Sequence, residues 1–164
     1  MARLSPETFK PQLSFRFRIV FSILSDIGFY GRSINLPKAQ NNPVTIEYGN
    51  TYMKVKGKTK WDDVTIKCYA FENMTYPQLW SYLRDMHQKI EDGTDFYADN
   101  YKQDITIQLL SPNDKPIANW KLIGAFINSI NYGDLDFGTE EVVQPEITIS
   151  YDYAIYEQQQ QPQA

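Results

Sequence analysis

The chain has 164 residues, with 20 acidic and 16 basic side chains, a formal charge of −4, 42% hydrophobic and 15% aromatic content. That length supports one domain with a real core, while the acid excess argues against a nucleic-acid clamp, whose affinity comes from clustered Lys and Arg. Cys68 is the only cysteine, which excludes an intrachain disulfide, and no apolar run approaches the roughly 20 residues that cross a bilayer.

Residues 1–12 carry Pro6 and Pro11 without a clear period and read as an arm. Met1-Ala2-Arg3-Leu4-Ser5-Pro6 has no signal-like apolar region, so the expectation is a soluble chain made in the cytosol with no membrane anchor. Residues 13–24 then alternate: Phe15, Phe17, Ile19, Phe21 and Ile23 share one face, Arg16, Arg18 and Ser22 the other. Period two describes a strand with one buried face. Asp26-Ile27-Gly28 makes a turn, 29–36 reads as a second strand stopped by Pro37, and the short connection predicts a hairpin.

Residues 38–43 read as a polar loop, followed by short strands at 44–48 and 52–56 across Gly49-Asn50. Thr45, Glu47, Lys54 and Lys56 give this hairpin little to bury. A lone two-stranded hairpin is marginal in water, so it must lean on something else. Gly57 ends it, and 61–71 forms the next strand, with Val64, Ile66, Cys68 and Ala70 facing away from Asp63, Thr65 and Lys67.

One helix is predicted. Thr75 and Gln78 have capping-box spacing, Pro77 fits the first turn, and Leu79, Trp80, Leu83, Met86, His87 and Ile90 form a stripe at helical spacing ended by Gly93. After an acidic, Tyr-rich loop come strands at 104–110, 115–127 and 144–156, the first two joined by the turn Ser111-Pro112-Asn113-Asp114. In the last, Ile147, Ile149, Tyr151 and Tyr153 oppose Glu146, Thr148, Ser150 and Asp152. Residues 157–164 are a Gln tract with Pro162, expected to be disordered. The fold class is mainly β with one helix, an antiparallel sandwich or barrel. Its expected core includes Phe17, Ile19, Trp80, Leu83, Ile149 and Tyr151.

Residues suited to chemistry are sparse. His87 is the sole histidine and belongs to the helix stripe, so neither a catalytic triad nor a zinc site has its usual ligands. Cys68 alternates with core residues and reads as an inert thiol. Gly28-Phe29-Tyr30-Gly31 opens a strand rather than a phosphate-binding helix. Asp134, Asp136, Glu140 and Glu141 crowd one connector without calcium-loop spacing and read as a solvated acidic loop. Asp62 and Asp63 are adjacent on a strand and so point apart. Arg16, Arg18, Arg32 and Lys38 are the one basic concentration, either a solvated face or a subunit contact. The reading is not an enzyme, and no cofactor or metal is expected.

Four segments in order resemble the tail tube proteins of contractile-tailed bacteriophages, whose fold is shared with the type VI secretion tube protein. They are 15–22 followed by Ser33-Ile34-Asn35-Leu36-Pro37; Gly57-Lys58-Thr59-Lys60-Trp61-Asp62-Asp63-Val64-Thr65-Ile66; the helix at 76–90; and the terminal alternating strand after its acidic linker. The resemblance covers 13–156. It implies six subunits joining their sheets into a ring, and rings stacking into the inner tube of a contractile tail in the virion, assembled in the host cytoplasm. Implied partners are further copies, tail sheath, tape measure, baseplate and tail terminator proteins, and DNA that passes without specific binding. The hairpin residues Val44, Thr45, Ile46, Glu47, Tyr48, Tyr52, Lys54 and Lys56 are the inter-ring candidates. Asp63, Asp134, Asp136, Glu146 and Asp152 are candidates to face the lumen or the sheath. Alternatives of other classes are a tube of a type VI or phage-like injection system and a small β-barrel binding module.

Overall fold

The computed structural model describes residues 13, 15–21, 31–70, 77, 80–81 and 101–158. Among them are nine strands: β1 (Phe17–Phe21), β2 (Gly31–Ile34), β3 (Lys38–Tyr48), β4 (Thr51–Asp62), β5 (Val64–Cys68), β6 (Gln103–Leu110), β7 (Pro116–Asn131), β8 (Glu146–Ser150) and β9 (Tyr153–Gln158). All recorded pairings are antiparallel. The path β1-β6-β7-β8-β5-β2 forms the body, with β9 added beside β7, while β3 and β4 form a separate two-stranded sheet.

β7 joins the two halves of the body. Its first part pairs with β6 on one side and β9 on the other, and its last part, from Phe126 onward, pairs with β8. The register shifts between Gln103 and Ile105 as β7 passes Ile123 and Gly124. Gly124 has φ +64°, and a Cβ there would collide with the Asp152 carboxylate. Such a backbone suits glycine, and the inserted residue bends the strand. The bulge also reverses the phase of the strand: Ala118 and Leu122 are buried before it, Ala125 and Ile127 after it.

Bending β7 folds the two halves face to face. Ile19, Ile105, Ile107 and Leu122 from one half meet Val64, Ile66, Cys68, Ile147 and Ile149 from the other in one core cluster. Each buried Ile or Val stabilises the fold by roughly 1.5–3 kcal/mol relative to exposure. β5 and β8 show the expected alternation, with Ile66 paired to Ile147 and Val64 to Ile149. Burial pushes the Cys68 thiol up to about 11, consistent with a core thiol.

Several expectations are corrected. β1 and β2 do not form a hairpin: β1 pairs with β6 and β2 with β5, at opposite ends of the path. A short connection permits a hairpin without requiring one, and pairing with β6 places Ile19 beside the core residues Ile105 and Ile107. The supposed polar loop 38–43 is strand, so β3 and β4 are about twice as long as expected. Trp61 and Asp62 close β4 rather than opening β5. The terminal strand is two strands broken at Tyr151 and Asp152, where the chain crosses from β8 on one half to β9 on the other. Glu157 and Gln158 belong to β9.

Trp80 is 60% exposed, contrary to its assignment to the core. The core cluster is built from strand residues of both halves, and the indole is not part of it. Pro77, Trp80 and Ser81 are helical; Leu83, His87, the rest of the predicted helix and the arm 1–12 lie outside the described residues.

Candidate functional site

The β3–β4 hairpin stands apart from the body and is exposed along nearly its whole length. Gly49, with φ +58°, takes the first position of its two-residue turn between the paired Tyr48 and Thr51, and Thr51 Oγ1 donates to the Tyr48 carbonyl at 2.9 Å. Directly opposed residues of an antiparallel pair share a face. One face of the outer half therefore carries Val44 with Val55, Ile46 with Met53, and Tyr48. The other carries Thr45 with Lys54, Glu47 with Tyr52, and Pro43 with Lys56.

A bulge separates this outer half from the base. The register slips between Asn41 and Pro43, where Gly57 lies so close to the Asn42 carbonyl that any side chain would collide. At the base, Trp61 and Tyr151 pack with ring centroids 6.0 Å apart, and Tyr151 Oη donates to the Asp62 carbonyl at 2.7 Å. Desolvation raises the Tyr151 pKa, in line with this half-buried anchor. Gln40 Nε2 donates to Asp62 Oδ2 at 2.6 Å, and Lys38 lies 3.8 Å from the same carboxylate. The root is thus fixed while the outer half presents an apolar face to solvent. The hairpin was expected to have little to bury, and its apolar stripe of Val44, Ile46, Tyr48, Met53 and Val55 is exposed throughout.

A second exposed surface lies on the β7–β8 connector, 132–145. Leu135 is 86% exposed and Phe137 fully so, among Asp134, Asp136, Glu140 and Glu141. The connector is tied at both ends. Gly133 N donates to Asn131 Oδ1 at 3.0 Å, and the amides of Ala70 and Cys68 donate to the carbonyls of Val143 and Pro145 at 2.9 and 3.0 Å. Asp136 Oδ1 accepts from Gly138 N at 2.8 Å. The connector and Arg32 border an open hollow of about 610 Å³, with the exposed Leu135, Phe137 and Val142 along it beside Asp134 and Glu141.

The five acidic candidates are not brought together. Asp63 accepts from Ser150 Oγ at 2.9 Å, and Glu146 pairs with Lys67 at 3.1 Å across β5 and β8. Asp152 sits at the β8–β9 break, held by Lys102 Nζ at 2.8 and 3.0 Å, and its amide donates to the Ile123 carbonyl. The hydrogen bond to Asp152 raises the Lys102 pKa. These three act locally within the body; Asp134 and Asp136 lie on the connector. The four basic residues are likewise dispersed: Arg16 donates to the Ser111 carbonyl at 3.5 Å, Arg18 is exposed on β1, Arg32 lies over Tyr69, and Lys38 pairs with Asp62. Among the described residues no three His, Cys, Asp or Glu side chains could together hold a metal ion.

The described residues thus form a β body with an exposed amphipathic hairpin and an exposed acidic connector. The family model of the T4-like virus tail tube protein gp19 matches residues 13–155. The chain belongs to that family. It is a tail tube protein, a structural component of a contractile tail or tail-like system. No curated protein sequence matches it. Its fold is similar to that of a chain in an extracellular contractile injection system, the PVC sheath–tube complex in the extended state. That match has a TM-score of 0.71 and 19% identity, covering 90% of this chain and 92% of that one. The anti-feeding prophage tube-terminating cap gives 0.70 and 18%, over 92% and 93% of the two chains. A type six secretion system protein gives 0.54 and 10%, over 88% and 83%. The mainly β antiparallel fold expected from the sequence is the fold of these tube proteins.

Proposed function

We propose that this tail tube protein closes into six-membered rings that stack into the inner tube of a contractile phage tail, the conduit through which the genome leaves the virion. The observation carrying this reading is the separate β3–β4 hairpin, whose apolar face no described residue covers. A contact that repeats from one ring to the next without closing on itself produces an open tube. Ring closure is supported by the sheet edges. Among the described residues β1 pairs only with β6, β9 only with β7, and β2 only with β5. Joining such edges between neighbours removes unpaired backbone groups that otherwise invite aggregation.

In this reading the subunit has no catalytic role. The sheath, baseplate and tail terminator are its partners, as suggested by the sheath–tube, baseplate and terminator assemblies that hold similar chains. A tape measure protein and passing DNA complete the set, the subunits being made and assembled in the host cytoplasm. A charge of −4 per subunit favours DNA that slides rather than sticks. Glu146 and Asp152 contribute less to that repulsion than bare carboxylates, since each is paired with a lysine, whereas the Ser150 hydroxyl bonded to Asp63 has no charge to offset it. A second reading, a tube that delivers protein from an injection particle, draws on the likeness to injection-system chains.

Electron microscopy of the purified protein should show rings of six 19.1 kDa subunits and rods built from them. Replacing 45–55 with a short Gly linker should leave folded protein that forms no long rods. Isolated globules from the wild-type chain, or rods of normal length from the deletion, would sink the reading.

A further inference from the structure

We propose that the outer half of the β3–β4 hairpin docks on the acidic connector 132–145 of a second copy of this chain. The proposal rests on the tube reading and adds to it the receiving surface and the force that selects it.

Charge singles out both surfaces. The span Lys38–Asp62 holds five lysines against two acids, whereas 132–145 holds four acids and no Lys or Arg. On the body, three carboxylates are answered by lysines of the same chain: Glu146 by Lys67, Asp152 by Lys102, and Asp104 by Lys121 at 4.0 Å. Lys54, Lys56, Lys58 and Lys60 make no ion pair among the described residues, and neither do Asp134, Asp136, Glu140 and Glu141. Two unanswered sets of opposite sign, on a chain that assembles with itself, are complementary between copies. Such complementarity speeds encounter and fixes register.

Both surfaces also carry exposed apolar side chains. At the hairpin tip Tyr52, 72% exposed, shares the face of Lys54 and Lys56, and Tyr48, 86% exposed, leads the stripe of Val44, Ile46, Met53 and Val55 on the opposite face. Leu135, Phe137 and Val142 supply exposed apolar surface along the open hollow of the connector, with Asp134 and Glu141 at hand for the lysines. Arg32 also lines this hollow, one guanidinium against three carboxylates. Tyr is a frequent anchor of protein interfaces because it brings large area with few rotatable bonds. Among the described residues both surfaces are exposed and neither covers the other, so each is open to the complementary surface of another subunit.

Charge reversal and restoration test this. Lys54→Glu with Lys56→Glu should raise the protein concentration needed for rod formation at least tenfold, and so should Asp134→Lys with Glu141→Lys. Asp136 is left intact because it holds Gly138. Combining all four should restore rods at near the wild-type threshold. As a measurement independent of variant folding, Tyr52→Cys with Leu135→Cys, oxidised after assembly of the otherwise native chain, should give covalent ladders on denaturing gels. Indifferent single-site reversals, a fourfold variant that fails to restore rods while keeping the wild-type melting curve, or preformed rods that yield no ladder would each overturn the docking. None of these would remove the tube reading, since wild-type rods would still be present; loss of wild-type rods would remove that reading instead.

Discussion

The β5–β8 pair and the β3–β4 hairpin are written in the same alternating pattern and meet opposite fates. In the first, Val64, Ile66, Ile147 and Ile149 are buried and the polar side chains between them face outward. In the second, Val44, Ile46, Met53 and Val55 are just as regularly placed, and every one is exposed. The difference lies in what covers the apolar face. β7 bends at Gly124 and brings the other half of the body over Ile66 and Ile147, whereas no described element of the chain lies over the hairpin. Alternation reports that a face is to be covered; it does not report whether the cover belongs to the same chain.

The sharpest way to break this comparison is to truncate the same residue type in both regions. Ile66→Ala should lower unfolding stability by about 2–5 kcal/mol, because the site is closed on all sides and a cavity would remain. Denaturant unfolding of the variant measures it, and a loss below about 1 kcal/mol would mean that the two halves are not packed as described.

Next in size is the bend itself. Gly124→Ala places a Cβ on a left-handed backbone, costing roughly 1–2 kcal/mol, and also displaces the Asp152 carboxylate from Lys102. The expected result is a lower melting temperature and a weaker junction between β8 and β9. An unchanged melting curve would show that β7 bends elsewhere.

A smaller effect is expected from pH. Burial raises the Cys68 pKa from 9.0 to about 11. Since the folded value exceeds the unfolded one, the contribution is complete below pH 9 and is lost as pH rises toward 11. Tyr132 and Tyr151, also raised by burial, add a loss of the same sign at still higher pH. Replacing Cys68 with Ala should therefore flatten, without abolishing, the fall in melting temperature between pH 9 and 11. A slope identical to that of the wild type would mean that the thiol is solvated.

These contrasts also show what was legible in the sequence. Strands with one buried face were readable wherever a period of two was unbroken: Ile19 on β1, Val64 to Cys68, Ile105 and Ile107, Ile147 and Ile149. Partners were not, because pairing is chosen by long-range packing; β1 and β2 were adjacent in sequence and ended at opposite ends of the path. The phase reversal of β7 was also hidden, although Gly124 marked the place. Residues 38–43 looked like a loop because Asn and Pro are poor strand formers. In a two-stranded ribbon, however, both strands are edges, and an edge tolerates a proline that lacks an N–H. Trp80 fitted a helical stripe, and stripe membership could not tell an indole facing the core from the exposed one observed. The β3–β4 hairpin itself was legible from its turn and the alternation on either side of it. On the connector the acids were legible, but the exposure of Leu135 and Phe137 was not, for no periodicity marks which apolar residues of an irregular segment stay uncovered.

The smallest expected effect on the folded chain is the most telling for the comparison. Ile46→Ser removes an apolar side chain that is 47% exposed and lies opposite Met53 on the open face of the hairpin. Little area is withdrawn from the chain's own core, so unfolding stability should change by no more than about 0.5 kcal/mol, as for surface substitutions in general. The same change should raise the concentration needed for rods, because the stripe that another subunit would cover has been interrupted by a hydroxyl. Denaturant unfolding of the unassembled protein and the assembly threshold, measured on one preparation, separate the two quantities. If unfolding stability fell as far as in Ile66→Ala while the threshold stayed fixed, the hairpin would be folded against its own body, and the distinction between a face covered within the chain and a face left for a neighbour would not hold.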